Sequence, residues 1–184
     1  MNDARARVLG TRRVYEGKLL RIDLEEVELP GGDRTEVEII RHPGAAAVLP
    51  FLDEQRVVLI RQYRHAVGGF IVEVPAGKLD RPGEAPEECV QRELREETGY
   101  RCRRLVPLGR ILTTPGFTDE VIWLYEAHDL EIGASACEPG EEIEVFEATW
   151  EQALVLLRRG EIIDAKSVAC LAHAALRRGV AAFP

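Results

Sequence analysis

No stretch of the sequence approaches the roughly eighteen uncharged apolar residues of a membrane-spanning helix, so no membrane partner is expected. The opening Met1-Asn2-Asp3-Ala4-Arg5-Ala6-Arg7 lacks the apolar stretch of a secretory signal, and the expected location is cytoplasmic. Histidine is scarce, with four in 184 residues, and the four cysteines at 89, 102, 137 and 170 are 13, 35 and 33 residues apart. No pair among them has zinc-ligand spacing, which leaves free thiols in a reducing compartment as the expectation. Excess positive charge is missing too. Against 32 Asp and Glu there are 24 Lys and Arg, a net charge of -8, which is opposite to the balance of a nucleic-acid coat and argues against such a partner. With 46% hydrophobic residues the chain can nonetheless fill the core of one domain plus a small appendage.

Residues 18–29 and 35–40 carry β-formers in partial alternation with charge, and Pro30-Gly31-Gly32-Asp33 between them supplies turn residues, which predicts a hairpin. After the break at His42-Pro43-Gly44, short apolar runs at 45–50, 56–60 and 70–74 read as buried strands. Pro86 to Thr98 is crowded with Glu and Arg and closes on Gly99, the pattern of a helix and its stop. Strands are expected near 104–112, 121–127 and 143–148. Thr149 and Gln152 form a candidate capping box for a helix ending at Gly160, and Asp164 a cap for another ending at Gly179. Helices both within and after a set of strands suit an α/β/α sandwich on a mixed sheet.

The Pro86–Thr98 segment concentrates carboxylates. Glu93 and Glu97 lie four apart on one helical face, a like-charge pair costing roughly 0.2 to 0.5 kcal/mol, and Glu96 joins them; Glu88 and Arg92 are a favourable four-residue pair. Such a run is commonly a solvated face. Here Val90 and Leu94 add an apolar stripe beside it, and the preceding Pro75-Ala76-Gly77-Lys78 can bring backbone close, because glycine has no side chain to clash. Three carboxylates in one place do not help folding, whereas oxygen-rich anionic clusters bind hard divalent cations such as Mg²⁺.

Gly77-Lys78-Leu79-Asp80-Arg81-Pro82-Gly83-Glu84, seven further residues, and Arg92-Glu93-Leu94-Arg95-Glu96-Glu97-Thr98-Gly99-Tyr100 resemble the Nudix box, G-x5-E-x7-R-E-U-x-E-E-x-G-U with U apolar. The departure is one extra residue between Gly77 and Glu84, near Arg81-Pro82, upstream of the helix. The resemblance implies an α/β (α+β) Nudix sandwich, with a small N-terminal antiparallel β region over 1–43 and the hydrolase domain over 44–184. It also implies hydrolysis of a nucleoside diphosphate linked to another moiety, with two or three Mg²⁺ ions per site, for which Mn²⁺ can substitute. Position by position, Glu93, Glu96, Glu97 and the Ala76 carbonyl correspond to metal ligands, and Arg92 to the residue that holds the carboxylates. Glu84 corresponds to the box's supporting first glutamate.

Pro115, 16 residues beyond Gly99, lies in Thr114-Pro115-Gly116-Phe117-Thr118-Asp119-Glu120, a loop similar to that of the ADP-ribose pyrophosphatase subfamily. Arg41-His42-Pro43-Gly44-Ala45, Arg61-Gln62-Tyr63-Arg64 and Glu73-Val74-Pro75-Ala76-Gly77 also look like that subfamily, so the resemblance spans residues 12–178. It implies cleavage of ADP-ribose to AMP and ribose 5-phosphate by a homodimer with exchanged N-terminal regions. Arg61, Arg64, Arg41, Pro115, Gly116 and Glu120 are the candidate substrate contacts, with Arg34 as a further one across the dimer. The general base is expected at Glu141, with Glu142 second. Trp123 and Trp150 sit in core-like contexts, and adenine stacking is left unassigned. Two alternatives stay open: another nucleoside diphosphate sugar such as a GDP- or UDP-hexose, and a non-catalytic ADP-ribose sensor.

Overall fold

Strands β1 (Arg7–Glu16), β2 (Arg21–Glu28) and β3 (Arg34–Arg41) form an antiparallel meander with β2 in the middle. The computed structural model that shows this describes residues 5–133 and 142–180. The β2–β3 hairpin is the one predicted; its turn closes on Gly32 at φ 92, whose N–H donates to Leu29 O at 2.8 Å. Strand β1 is an addition to that reading. All ten of its residues are exposed, so no burial pattern marks it, and its pairing with β2 makes it a strand. Buried Asp23 in β2 accepts from Arg13 at 2.7 Å and from Arg41 at 3.2 Å. The loop before residue 122 belongs with this meander: Ile40 N–H donates to Phe117 O at 2.8 Å, and residues up to Gly44 cluster with Leu112–Val121 as one unit.

The second unit comprises Ala45–Ile111 and the chain from Ile122 on. In it, β4 (Ala45–Pro50) lies between β7 (Ala76–Lys78), antiparallel, and β9 (Val121–Ile132), parallel, with β8 (Tyr100–Leu112) beyond β9. A second, antiparallel sheet has the order β10 (Ile143–Thr149), β5 (Arg56–Arg64), β6 (Gly69–Glu73). The expected strands at 56–60 and 104–112 are longer in the structure, because cross-strand pairing runs past the apolar stretch, as where Arg64 meets Gly69.

All six residues of β4 are buried because both faces of its sheet are covered. Ala46 and Val48 pack with Val90 and Leu94 of helix α1 (Pro86–Thr98). Ala45, Ala47 and Leu49 face the other way, toward Leu154 of α2 (Trp150–Arg158) and Leu171 of α3 (Ala165–Arg177). This is the α/β/α arrangement.

The helix limits follow from local chemistry. Pro86 takes the first position of α1, where its missing N–H costs nothing, and Gly99 ends it at φ 77, donating to Arg95 O at 2.9 Å. Thr149 Oγ1 accepts from Gln152 N–H at 3.1 Å, and Asp164 caps α3 through Ser167 N–H at 3.2 Å. Trp150 and Trp123 are packed against the two cores, the first 5.5 Å from the Phe51 ring.

Leu124 of β9 is fully buried among the residues facing α2 and α3. Leu124→Ala is expected to destabilise the protein by about 2–5 kcal/mol, read as a lower urea midpoint at unchanged slope.

Candidate active site

Helix α1 presents its acidic face to β7, where the absence of a side chain at Gly77 is a requirement. A Cβ built there would overlap the Glu93 carboxylate and its Cγ. The neighbouring Ala76 N–H donates to Glu97 Oε2 at 3.0 Å, and Glu97 is buried. Cys89 Sγ lies 3.5 Å from Gly77 O and 3.4 Å from Lys78 O, and burial pushes its thiol up to about 12. Helix and loop are therefore joined at three successive residues, 76, 77 and 78.

Arg92 supplies the counter-charge. Its Nε and Nη2 donate to the two oxygens of Glu84 at 2.8 and 3.0 Å, while Nη1 donates to Glu93 Oε1 at 2.5 Å and Glu96 Oε2 at 3.1 Å. The side chain is only 10% exposed, so these are charge-assisted bonds in a poorly solvated place. The two bonds to Glu84 push the guanidinium pKa above its ordinary value despite burial, with Glu93 and Glu96 adding to the effect, and Arg92 in turn holds Glu84 below the usual carboxylate range. The expected Glu88–Arg92 pair is replaced: Glu88 accepts instead from Ala85 N–H at 3.1 Å, completing the helix start where alanine offers no capping oxygen. The lengthened loop leaves the Arg92–Glu84 fork intact and brings Arg81 Nη2 to 3.4 Å from Glu96 Oε1.

Among the described residues no three Asp, Glu, His or Cys side chains surround a common point at metal-ligand spacing. Arg92 Nη1 lies against Glu93 and Glu96, and Glu97 is turned to Ala76 N–H. The donor set still fits a hard divalent cation, since three carboxylates from one helical turn and a nearby backbone carbonyl are all oxygen ligands. The close approach of Glu93 to Gly77 keeps that loop within reach of the helix.

The candidate substrate arginines differ in how they are held. Arg64 forks onto Glu73, with Nε to Oε1 at 3.0 Å and Nη2 to Oε2 at 2.5 Å. Burial pushes the Glu73 carboxyl up, but Arg64 and Lys166 outweigh it and hold it below the usual range. Arg61 is half exposed, 3.4 Å from Glu144 Oε2, with its guanidinium 4.4 Å above the Phe70 ring. Glu142 is exposed at the entry to β10, where its carbonyl accepts Tyr63 N–H at 3.1 Å. Glu141 lies outside the described residues.

Arg41, Pro115, Gly116 and Glu120 come together in the unit of the meander. Arg41 meets Asp23, Glu25 and Asp119. Asp119 also accepts His42 N–H at 2.8 Å, and Glu120 accepts from Thr113 Oγ1 at 2.8 Å. Pro115 and Gly116 form the exposed turn closed by Phe117 N–H to Thr114 O at 3.1 Å. Arg34 is on the surface, 3.3 Å from Glu28. Asp119 as the tie between loop and β3, and Glu73 as the partner of Arg64, were not singled out from the sequence. No spacing rule signals either, since each depends on which strand lies alongside.

A family model described as NUDIX domain matches residues 41–171. The chain is 36% identical over 184 residues to an ADP-ribose pyrophosphatase of Bacillus subtilis (strain 168), covering 99% of both chains. It is also 36% identical over 176 residues to a methanol dehydrogenase activator of Bacillus methanolicus, covering 95% of each. With a GDP-mannose pyrophosphatase of Cronobacter sakazakii (strain ATCC BAA-894) it shares 38% identity over 162 residues, 78% of this chain and 83% of the other. A crystal structure of an ADP compounds hydrolase superposes with a TM-score of 0.83 over 96% of this chain and 97% of that one, at 22% identity, a likeness of fold.

Gly77→Ala must displace the Glu93 side chain. We expect it to weaken Mg²⁺ binding by at least about tenfold in titration calorimetry, with a melting temperature near that of the parent.

Proposed function

This chain belongs to the NUDIX family and is a Nudix hydrolase, and from that premise we propose that it cleaves the diphosphate bond of ADP-ribose to AMP and ribose 5-phosphate. The observation that carries the reading is the carboxylate group of α1, gathered on Arg92 and pressed against Ala76-Gly77. Nudix hydrolases generally use divalent ions. Here Glu93, Glu96, Glu97 and the Ala76 carbonyl would hold Mg²⁺, two or three ions per site, with Mn²⁺ as a substitute. Bound ions of this kind polarise phosphoryl oxygens and acidify a water ligand.

The remaining work falls to the chain itself. Arg92 forks onto Glu84, a contact that would leave the helix one fixed counter-charge if a bound cation took Glu93 and Glu96. Arg61, a half-exposed arginine of β5, offers a guanidinium to an anionic substrate. Arg64 is committed to Glu73, which leaves it less free for that task. The attacking water needs a base within hydrogen-bond reach. Glu141 is our first assignment and Glu142, exposed at the start of β10, the second.

The active form is proposed to be a homodimer with exchanged N-terminal regions. In β1–β3 only Asp23 and Val27 are buried, while Val8, Val14 and Tyr15 are exposed, which leaves apolar surface for a second copy to cover. A cytoplasmic location agrees with the free, buried thiols of Cys89, Cys102 and Cys170. No helix among the described residues is long and apolar enough to cross a membrane. A second substrate reading, GDP-mannose, is favoured by the relative that acts on it.

Comparing kcat/KM for ADP-ribose, ADP-glucose, GDP-mannose and a dinucleoside polyphosphate decides the substrate. ADP-ribose is expected to lead, and a lead for GDP-mannose overturns the first choice. Glu97→Gln should lower kcat by at least about a hundredfold with the fold retained. Glu141→Gln should lower kcat far more than it raises KM; a larger effect in Glu142→Gln moves the base by one residue.

A further inference from the structure

One buried polar assembly in the hydrolase unit enters the reading above only through its hold on Arg64. Glu73, at the end of β6, has a side chain 3% exposed, yet it accepts three hydrogen bonds from cations, two from Arg64 and one from Lys166 Nζ at 3.0 Å. The same Nζ donates to Asp164 Oδ2 at 2.8 Å. That oxygen accepts Ser167 N–H at 3.2 Å, and Ser167 Oγ, itself fully buried, accepts Val74 N–H at 2.8 Å. The contacts close into a ring from Glu73 through Lys166, Asp164 and Ser167 to Val74, the residue after Glu73.

Buried ion pairs are weak evidence of stabilisation, because desolvation offsets their attraction; what such a ring supplies is a defined geometry. Two carboxylates face two cations, so it is internally neutral. Its position gives the geometry a use. Pro75 follows Val74 directly, and proline restricts both its own φ and the residue before it, so little freedom remains between the clamped Val74 and Ala76. Pro75 O accepts Val48 N–H at 2.9 Å, and Ala76 N–H is the donor to Glu97. The first turn of α3 thus reaches the metal-side loop from the opposite face of the sheet to α1.

We infer that Lys166 and Ser167 are positioning residues: by clamping Glu73 and Val74 they set the Pro75–Ala76 peptide against Glu97. Arg64 is the outer strut of the same clamp. The inference rests on the reading that Ala76 and Glu97 hold the cation.

The test compares the full-length parent with Lys166→Met, Lys166→Arg and Ser167→Ala. Three quantities are measured: hydrogen exchange at the Ala76 amide, Mn²⁺ affinity with the metal alone, and kcat and KM for ADP-ribose. In Lys166→Met, Ala76 exchange should quicken at least about tenfold, Mn²⁺ affinity and kcat should each fall about ten- to a hundredfold, and KM should stay within about twofold. Lys166→Arg should recover most of each loss. Ser167→Ala should move the same quantities in the same direction, and it carries the test with these thresholds if Lys166→Met does not fold. Ala76 exchange and Mn²⁺ affinity within about twofold of the parent overturn the inference, whatever happens to the melting temperature. A parent that binds Mn²⁺ but does not cleave ADP-ribose removes the substrate reading alone; a parent that cleaves it, with variants whose Ala76 stays protected, removes the positioning role alone.

Discussion

Like charges on one helical turn repel, and the arrangement of α1 depends on how that repulsion is met. Arg92 meets it with three carboxylates at once, forking onto Glu84 and reaching Glu93 and Glu96 with its remaining nitrogen. At 10% exposure the guanidinium works where solvent screens little, so its loss would leave the acidic side chains crowded around a smaller counter-charge. The helix is thereby kept intact while an anionic face stays available to a cation. Glu97, for its part, accepts a backbone N–H, that of Ala76.

The sheet that supports this face is covered on both sides, which is why β4 is apolar at every position rather than alternating. Two layers therefore act on one short segment, residues 73–78. From one side α1 meets Ala76, Gly77 and Lys78; from the other, α3 meets Glu73 and Val74. Close packing transmits such constraints because interiors have little slack. The proposed positioning role of α3 is a consequence of this layering.

The arginines show how burial changes a residue's use. Arg64 and Arg61 lie three apart on β5, yet Arg64 is locked onto a buried carboxylate while Arg61 is half exposed over an aromatic ring. Arg41, between three carboxylates, serves to bind the 113–120 loop to the meander. Motif resemblance makes all three expected substrate contacts, and the fold holds the three guanidinium groups in different ways.

Much was legible in one dimension. The limits of α1 follow from Pro86 and Gly99, and those of α2 and α3 from Thr149 and Asp164, because capping acts over three or four residues. The hairpin of β2 and β3 was readable from its turn, and the acidic face of α1 from its period. Strand β1 is not, since its pattern is not one of burial, and spacing pairs Glu88 with Arg92 although its nearer use is the open helix start. Local elements, and the carboxylates that share a helical face, thus follow from residue order alone, both being matters of short-range geometry. Which partner each charge takes depends on the packed fold. Arg64 finds Glu73 nine residues away and Lys166 finds it at a separation of 93, through strand register and helix docking that no local spacing encodes.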